Sequence, residues 1–166
     1  GHQGPVFIRY PRGESEGMEK LPCRGFSRGV WERLAPGEDL SLVALGPMVA
    51  EALQVRKKLA ARGIAAQVIN ASSVKPLDTG LIAELAEGGK PYVVLEEQVL
   101  AGGLGSAVAE YCLQEGLRPP GHLFALPDAF VPHGSHAELL RHVGLDSESV
   151  SREILARWGE KLETAG

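Results

Sequence analysis

The sequence predicts an α/β protein in which a mostly parallel sheet is flanked by helices, and three observations carry the prediction. Strand-type runs alternate with stretches of helical period along most of the chain. Such alternation places each helix in a crossover between parallel strands, with right-handed connections. Several strand-type runs, such as Leu40 to Leu45 with Ser41 as its one polar residue, are nearly all apolar, as expected where both faces of a sheet are covered. Caps and stops bound the helical stretches: Asp78, Ser135 and Asp146 before them, Gly63, Gly116 and Gly144 after.

The elements follow in order. Val6 to Tyr10 alternates like a strand and is ended by Pro11, which cannot donate to a ladder. Gly13 to Ser27, with its glycines, glutamates and Pro22, reads as a linker, so the first strand is expected to belong to a preceding domain. A strand is expected over Gly29 to Leu34, a turn at Pro36 and Gly37, and a buried strand over Leu40 to Leu45. In Met48 to Arg62 the apolar residues Val49, Ala52, Leu53, Leu59 and Ala60 fall on one helical face. Ala66 to Asn70 is the next strand, and Asp78 caps a helix through Ala86 that buries Leu81, Ile82 and Leu85. Pro91 to Leu95 is an interior strand, Gly105 to Glu115 a helix, and His122 to Leu126 the last strand. Ser135 and Glu138 form a capping box for a helix ending at Gly144. Asp146 caps a final helix with Val150, Ile154, Leu155 and Trp158 on one side.

A chain of 166 residues is long enough to bury the core of one domain. Its net charge of -4 argues against a general nucleic-acid surface, and no apolar run approaches a membrane span. Nothing at the amino terminus reads as a secretory signal. Cys23 and Cys112 lie far apart and form no C-x-x-C pair, which suits a reducing cytoplasm.

For chemistry, the first place to look is Tyr92 to Tyr111, a buried-type strand that passes through a glycine cluster into a helix. A dinucleotide fingerprint needs three glycine-like positions. Gly103 and Gly105 supply two, and Val108 occupies the third. No acid follows at ribose distance, and no Gly-Lys-Ser/Thr loop is present. A tight elbow with glycines for packing is therefore favoured, although the amino end of this helix would attract an anion. Glu96 and Glu97 lie at a strand's carboxyl end, where open parallel sheets place ligands. The favoured reading is a carboxylate that accepts hydrogen bonds from the glycine turn or from a neighbouring subunit. His133 and His136 with Asp128 nearby lack a third ligand at a recognisable spacing, so no metal is assigned. Ser106 and Ser135 lie outside any Gly-x-Ser-x-Gly elbow. Arg9 and Arg12 remain. Arginine's fork of donors matches phosphate oxygens, and Arg12 follows Pro11 in a stiff loop, though a surface ion pair fits it equally.

Four segments together resemble one family: GPVFIRYPRG at Gly4 to Gly13, NASSVKPLD at Asn70 to Asp78, LEEQVLAGGLGSAV at Leu95 to Val108, and LPDAFVPHGS at Leu126 to Ser135. With the ending GLDSESVSREI from Gly144 to Ile154, they are similar to the carboxyl-terminal part of the 1-deoxy-D-xylulose-5-phosphate synthases. The transketolases and the β subunits of 2-oxo-acid dehydrogenases share looser versions. The resemblance implies a three-layer α/β/α sandwich whose five-stranded mixed sheet has one antiparallel strand. It divides the chain into the end of a pyrimidine-binding domain (1–13), a linker (14–27) and a transketolase C-terminal-like domain (28–166). It implies a cytoplasmic bacterial homodimer that joins pyruvate to glyceraldehyde 3-phosphate using thiamine diphosphate and Mg2+, with release of carbon dioxide. The cofactor motifs of such an enzyme lie upstream, so this chain alone is expected to carry no catalytic, cofactor or metal residue. Arg12 matches the second arginine of the RYPRG segment, and the resemblance assigns it to the aldehyde's phosphate. Asn70 to Ser73 departs from the more usual Asn-Ala-Arg-Phe by carrying two serines, so an interdomain contact made by the basic-aromatic pair is not expected here.

Overall fold

A computed structural model describes residues 3–8 and 27–163. Five strands, β1 (Glu32–Ala35), β2 (Leu40–Ala44), β3 (Ala66–Asn70), β4 (Tyr92–Val99) and β5 (His122–Leu126), form one sheet in the order β1-β3-β2-β4-β5. Four run parallel, and β1 lies antiparallel to β3 at one edge. The helices are α1 (Met48–Ala60), α2 (Thr79–Glu87), α3 (Leu104–Glu115), α4 (His136–Val143) and α5 (Ser147–Glu163).

Strand parity sorts the apolar residues into two cores. Leu40, Leu42, Ala66, Val68, Val93 and Leu95 face α1, α4 and α5, where Val49, Ala52, Leu140, Val150 and Ile154 are buried with them. Val43, Ile69, Tyr92 and Val94 face the opposite way and pack with Leu81, Ile82, Leu104 and Val108 of α2 and α3. Side chains alternate across a strand, so the mostly apolar run Leu40 to Ala44, interrupted only by Ser41, feeds both cores. The result is the expected three-layer α/β/α sandwich with its single antiparallel edge strand.

Element positions follow local chemistry. Asp78 Oδ1 accepts from Leu81 N at 3.0 Å and caps α2, as expected. Ser135 and Glu138 form the expected capping box, and Gly144 closes α4 in the left-handed region at φ 76°. Asp146 Oδ2 accepts from Glu148 N at 3.2 Å, and Glu51 of α1 accepts from Ser147 N at 2.6 Å, so two carboxylates start α5. Two expectations change. β4 runs on to Val99 instead of stopping at Leu95. Val6, Phe7 and Ile8 carry no strand and are 65%, 97% and 82% exposed. They have no sheet partner among the described residues, and an extended segment without one makes no ladder. Arg9, Tyr10, Arg12 and Cys23 lie outside the described residues.

Candidate functional site

Successive parallel strands are added on opposite sides of β2: β3 on one side, β4 on the other. Open α/β sheets bind ligands at such a reversal, beyond the carboxyl ends of the strands. Here Leu45 N, just past the end of β2, donates to Leu95 O within β4 at 3.0 Å. The glycine elbow follows the end of β4 at Val99.

Glu96 decides what the elbow does. On β4 its parity matches Tyr92 and Val94, so its side chain points beneath α3, and it is 1% exposed. Oε2 accepts from Leu104 N at 2.7 Å and Oε1 from Gly105 N at 2.8 Å. Those amides belong to the first turn of α3, where unpaired N–H groups and the helix dipole favour negative charge. The chain supplies that charge itself. A Cβ on Gly103 would sit 2.3 Å from Glu96 Oε2, and one on Gly105 would sit 3.2 Å from Oε1 and 3.0 Å from Leu123 Cδ2. Gly103 has a φ of -83°, so glycine is required there by space and not by backbone conformation. Val108, at the position of a third glycine, is buried in the α2–α3 core.

The neighbouring candidates are also committed. Ser106 Oγ donates to Gly103 O at 3.0 Å. Ser135 Oγ donates to Glu138 Oε2 at 2.6 Å, and Ser135 N donates to the same oxygen at 2.9 Å. The Ser135 hydroxyl, and then its amide, hold the Glu138 carboxyl below the usual glutamate range. Glu97 and His136 meet at 2.6 Å between Oε1 and Nε2, tying the end of β4 to the start of α4. His133 and Asp128 are exposed on the loop between β5 and α4. Among the described residues no three His, Cys, Asp or Glu side chains are grouped to hold a metal ion.

Sequence reasoning missed a second cluster beside the carboxyl end of β3. Asp78 both caps α2 and accepts from Trp31 N at 2.7 Å, while Trp31 Nε1 donates to Ser73 O at 2.8 Å. Ser73 Oγ accepts from Gly29 N at 3.2 Å, and Ser72 Oγ donates to Val30 O at 3.0 Å. The two serines that depart from the family pattern thus hold the segment entering β1. The only sequence signal was Asp78, whose second oxygen was free after capping. At the other end of the sheet, Tyr92 donates from its hydroxyl to Arg118 O at 2.7 Å. Burial, then contact with Cys112, pushes that phenol far above its ordinary pKa, so it stays neutral.

At the elbow this geometry does not fit a bound diphosphate. The amides that would cradle phosphate are spent on Glu96, and a second anion there would face a buried carboxylate.

Residues 29–150 match the family described as transketolase, C-terminal domain. A 1-deoxy-D-xylulose-5-phosphate synthase from Thermomicrobium roseum is 44% identical over 155 residues, which is 93% of this chain and 25% of that protein. One from Gloeothece citriformis is 43% identical over 159 residues, 92% of this chain and 24% of that protein. The chain thus spans about a quarter of the length of these relatives. Among solved structures, a split-gene transketolase described as an inactive beta4 tetramer is 37% identical with a TM-score of 0.71, covering 84% of this chain and 44% of that one. A Pichia stipitis transketolase mutant, at 17% identity and a TM-score of 0.58, shares the fold.

Proposed function

Because the chain belongs to the transketolase C-terminal domain family, we propose that it is the carboxyl-terminal part of a 1-deoxy-D-xylulose-5-phosphate synthase. Such an enzyme is a thiamine-diphosphate- and Mg2+-dependent transferase that joins pyruvate to glyceraldehyde 3-phosphate with loss of carbon dioxide, feeding isoprenoid and thiamine synthesis. The observation that carries the reading is that relatives bearing this name are 35–44% identical along 90–98% of the chain. In this reading residues 1–13 close the preceding pyrimidine-binding domain, 14–27 link, and 28–166 form the family domain of a cytoplasmic homodimer. The domain supports assembly while the cofactor sits upstream, which accords with an elbow already filled by Glu96. Arg12 contributes a two-point contact to the aldehyde's phosphate.

The isolated chain, mixed with thiamine diphosphate, Mg2+ and both substrates, is expected to release no carbon dioxide above a protein-free control. Clear release would sink the reading of a non-catalytic part. In the complete enzyme, Arg12→Ala should raise the KM for the aldehyde roughly tenfold or more and leave that for pyruvate nearly unchanged. An unchanged aldehyde KM would assign Arg12 to structure. A second reading, a free-standing subunit that docks on a separate partner, draws on the split-gene transketolase. The native reading frame upstream of Gly1 separates the two: a long frame favours the first, an initiator methionine the second.

A further inference from the structure

The two ends of the sheet differ in chemistry. β2, β3, β4 and β5 are parallel, so the loops that follow them, 45–47, 71–77, 100–103 and 127–135, lie at one end. Segment 27–31 joins them there, because Glu32 at the start of antiparallel β1 pairs with Asn70 at the end of β3. In these five stretches the only Asp, Glu, Lys or Arg residues are Arg28, Lys75 and Asp128. The loops at the amino end, 36–39, 61–65, 88–91 and 116–121, are shorter in total yet carry Glu38, Asp39, Arg62, Lys90 and Arg118.

Exposed apolar side chains follow the same division. Val30, Val74, Val99, Leu100 and Phe130 are all exposed, and all stand at the carboxyl end. The amino-end loops expose no large apolar side chain, and among the described residues from 27 onward the other exposed one is Leu113 of α3. Single exposed apolar residues are ordinary on a protein surface. Five gathered at one end, with little charge among them, have the composition of an interface core. They form two groups, one on each side of the end of β2. Ser72 Oγ donates to Val30 O at 3.0 Å, which brings Val30 beside the loop that carries Val74. On the other side Val99 pairs with Leu126, and the Glu97–His136 contact at 2.6 Å ties β4 to the close of the loop that carries Phe130. These contacts hold both groups in place without covering them, so little ordering remains to be done on docking.

The occupant follows from where the chain enters the domain. Val30 belongs to the segment that leads into β1, so the polypeptide before residue 27 arrives at the carboxyl end of the sheet. The described part of that polypeptide, Val6 to Ile8, is itself apolar and exposed. The chain spans about a quarter of the length of its synthase relatives, so under the function proposed above, on which this inference rests, most of the protein precedes the domain. We propose that the carboxyl end of the sheet is the surface by which the domain docks on that preceding part of the longer polypeptide, with Val30 and Val74 on one side of β2 and Val99, Leu100 and Phe130 on the other as its apolar anchors. The glycine elbow, already filled by Glu96, then presents Val99 and Leu100 to a protein surface. The charged amino end of the sheet stays in water.

The test is site-specific photo-crosslinking in the full-length protein, with Phe130→p-benzoylphenylalanine at the carboxyl end and Glu38→p-benzoylphenylalanine at the amino end, and adducts mapped by peptide mass spectrometry. The probe at 130 should give adducts with peptides upstream of residue 27, in several-fold higher yield than the probe at 38. If the variant at 130 does not fold, Leu100→p-benzoylphenylalanine takes its place. Adducts confined to residues 27–166, on the same copy or a second one, overturn the proposal, and so does a yield no higher than that of the probe at 38. Carbon dioxide release from pyruvate and glyceraldehyde 3-phosphate by the unsubstituted full-length protein is read separately. Release without upstream adducts removes the docking surface and leaves the proposed function standing; upstream adducts without release do the reverse.

Discussion

At the amino end of α3 the unpaired amides are met by Glu96, which arrives from a buried strand eight residues upstream. At α4 they are met by Ser135 and Glu138, residues of the helix start itself. Both are carboxylate-assisted caps, yet one is 1% exposed and spans a strand-to-helix connection, while the other is local and open to water. The buried cap excludes water from the hydrogen bonds and so becomes costly to remove. It also shapes the chain around it, since Gly103 and Gly105 exist in the space the carboxylate leaves. The exposed cap shapes nothing beyond its own turn. The elbow that most resembles a phosphate site is closed by its own anion, and the exposed helix start adds the Glu97–His136 contact to its capping box.

The largest expected effect is at Glu96. Glu96→Ala strands two buried N–H groups and opens a cavity, which should cost about 3–5 kcal/mol of unfolding free energy in chemical denaturation. Glu96→Gln keeps the shape but turns an amide N–H toward a backbone N–H, and should lose roughly half as much. If the comparison is right, the alanine variant also recovers part of its stability with acetate or sulfate, because the helix end is then open to an external anion. An alanine variant within about 1 kcal/mol of the parent would mean that water replaces the carboxylate and that burial adds little.

Gly103→Ala comes next. Its Cβ would lie 2.3 Å from the carboxylate, so the cap must break or the strand and helix must part; a loss of about 3 kcal/mol is expected, at the upper end of overpacking. Gly105→Ala meets only leucine methyls at 3.0 Å and a carboxylate oxygen at 3.2 Å, and about 1 kcal/mol is expected because Leu123 can yield. In the Glu96→Ala background Gly103→Ala should cost far less, a non-additivity that a double-mutant cycle measures directly. Additive losses would place the need for glycine elsewhere.

The same contrast explains what could be read in the sequence. The capping box at Ser135 was legible because it is a four-residue pattern with its own chemistry, and the Asp78 cap was legible for the same reason. Ala66–Asn70 and His122–Leu126 were legible as strands because apolar runs between turn residues allow little else. The filling of the elbow was only half legible. A glycine loop looks the same whether its anion is external or its own, and the choice rests on Glu96 still being in the strand. That in turn rests on β4 reaching Val99, where Val99 pairs with Leu126 across an irregular register. Such pairing is tertiary. So is the second bond of Asp78 to Trp31, and so is the meeting of Arg33, Gln67 and Ser41 from three strands.

Ser135→Ala should cost about 1 kcal/mol, the usual worth of an N-cap, read from the denaturation midpoint and from faster amide exchange confined to the first turn of α4. Exchange that accelerated equally in α3 would show that the two caps are coupled and would erase the contrast between them.

The smallest expected effect is a pH dependence of α4 alone. The Glu138 carboxyl is held below its ordinary range by the Ser135 hydroxyl and amide, so the folded state favours the charged form. A carboxylate with a depressed folded pKa contributes its full stabilisation above the unfolded value, about 4.3, and loses it as pH falls through the folded value. Amide exchange at His136 to Leu139 should therefore be insensitive to this group near neutrality and should rise progressively below about pH 4.3. Because the carboxylate is solvated, the effect should be modest and should shrink with added salt. Glu138→Gln should abolish the acid response of this turn while leaving the Ser135 hydroxyl to cap it. A response that persists in the glutamine variant would move its source to another group.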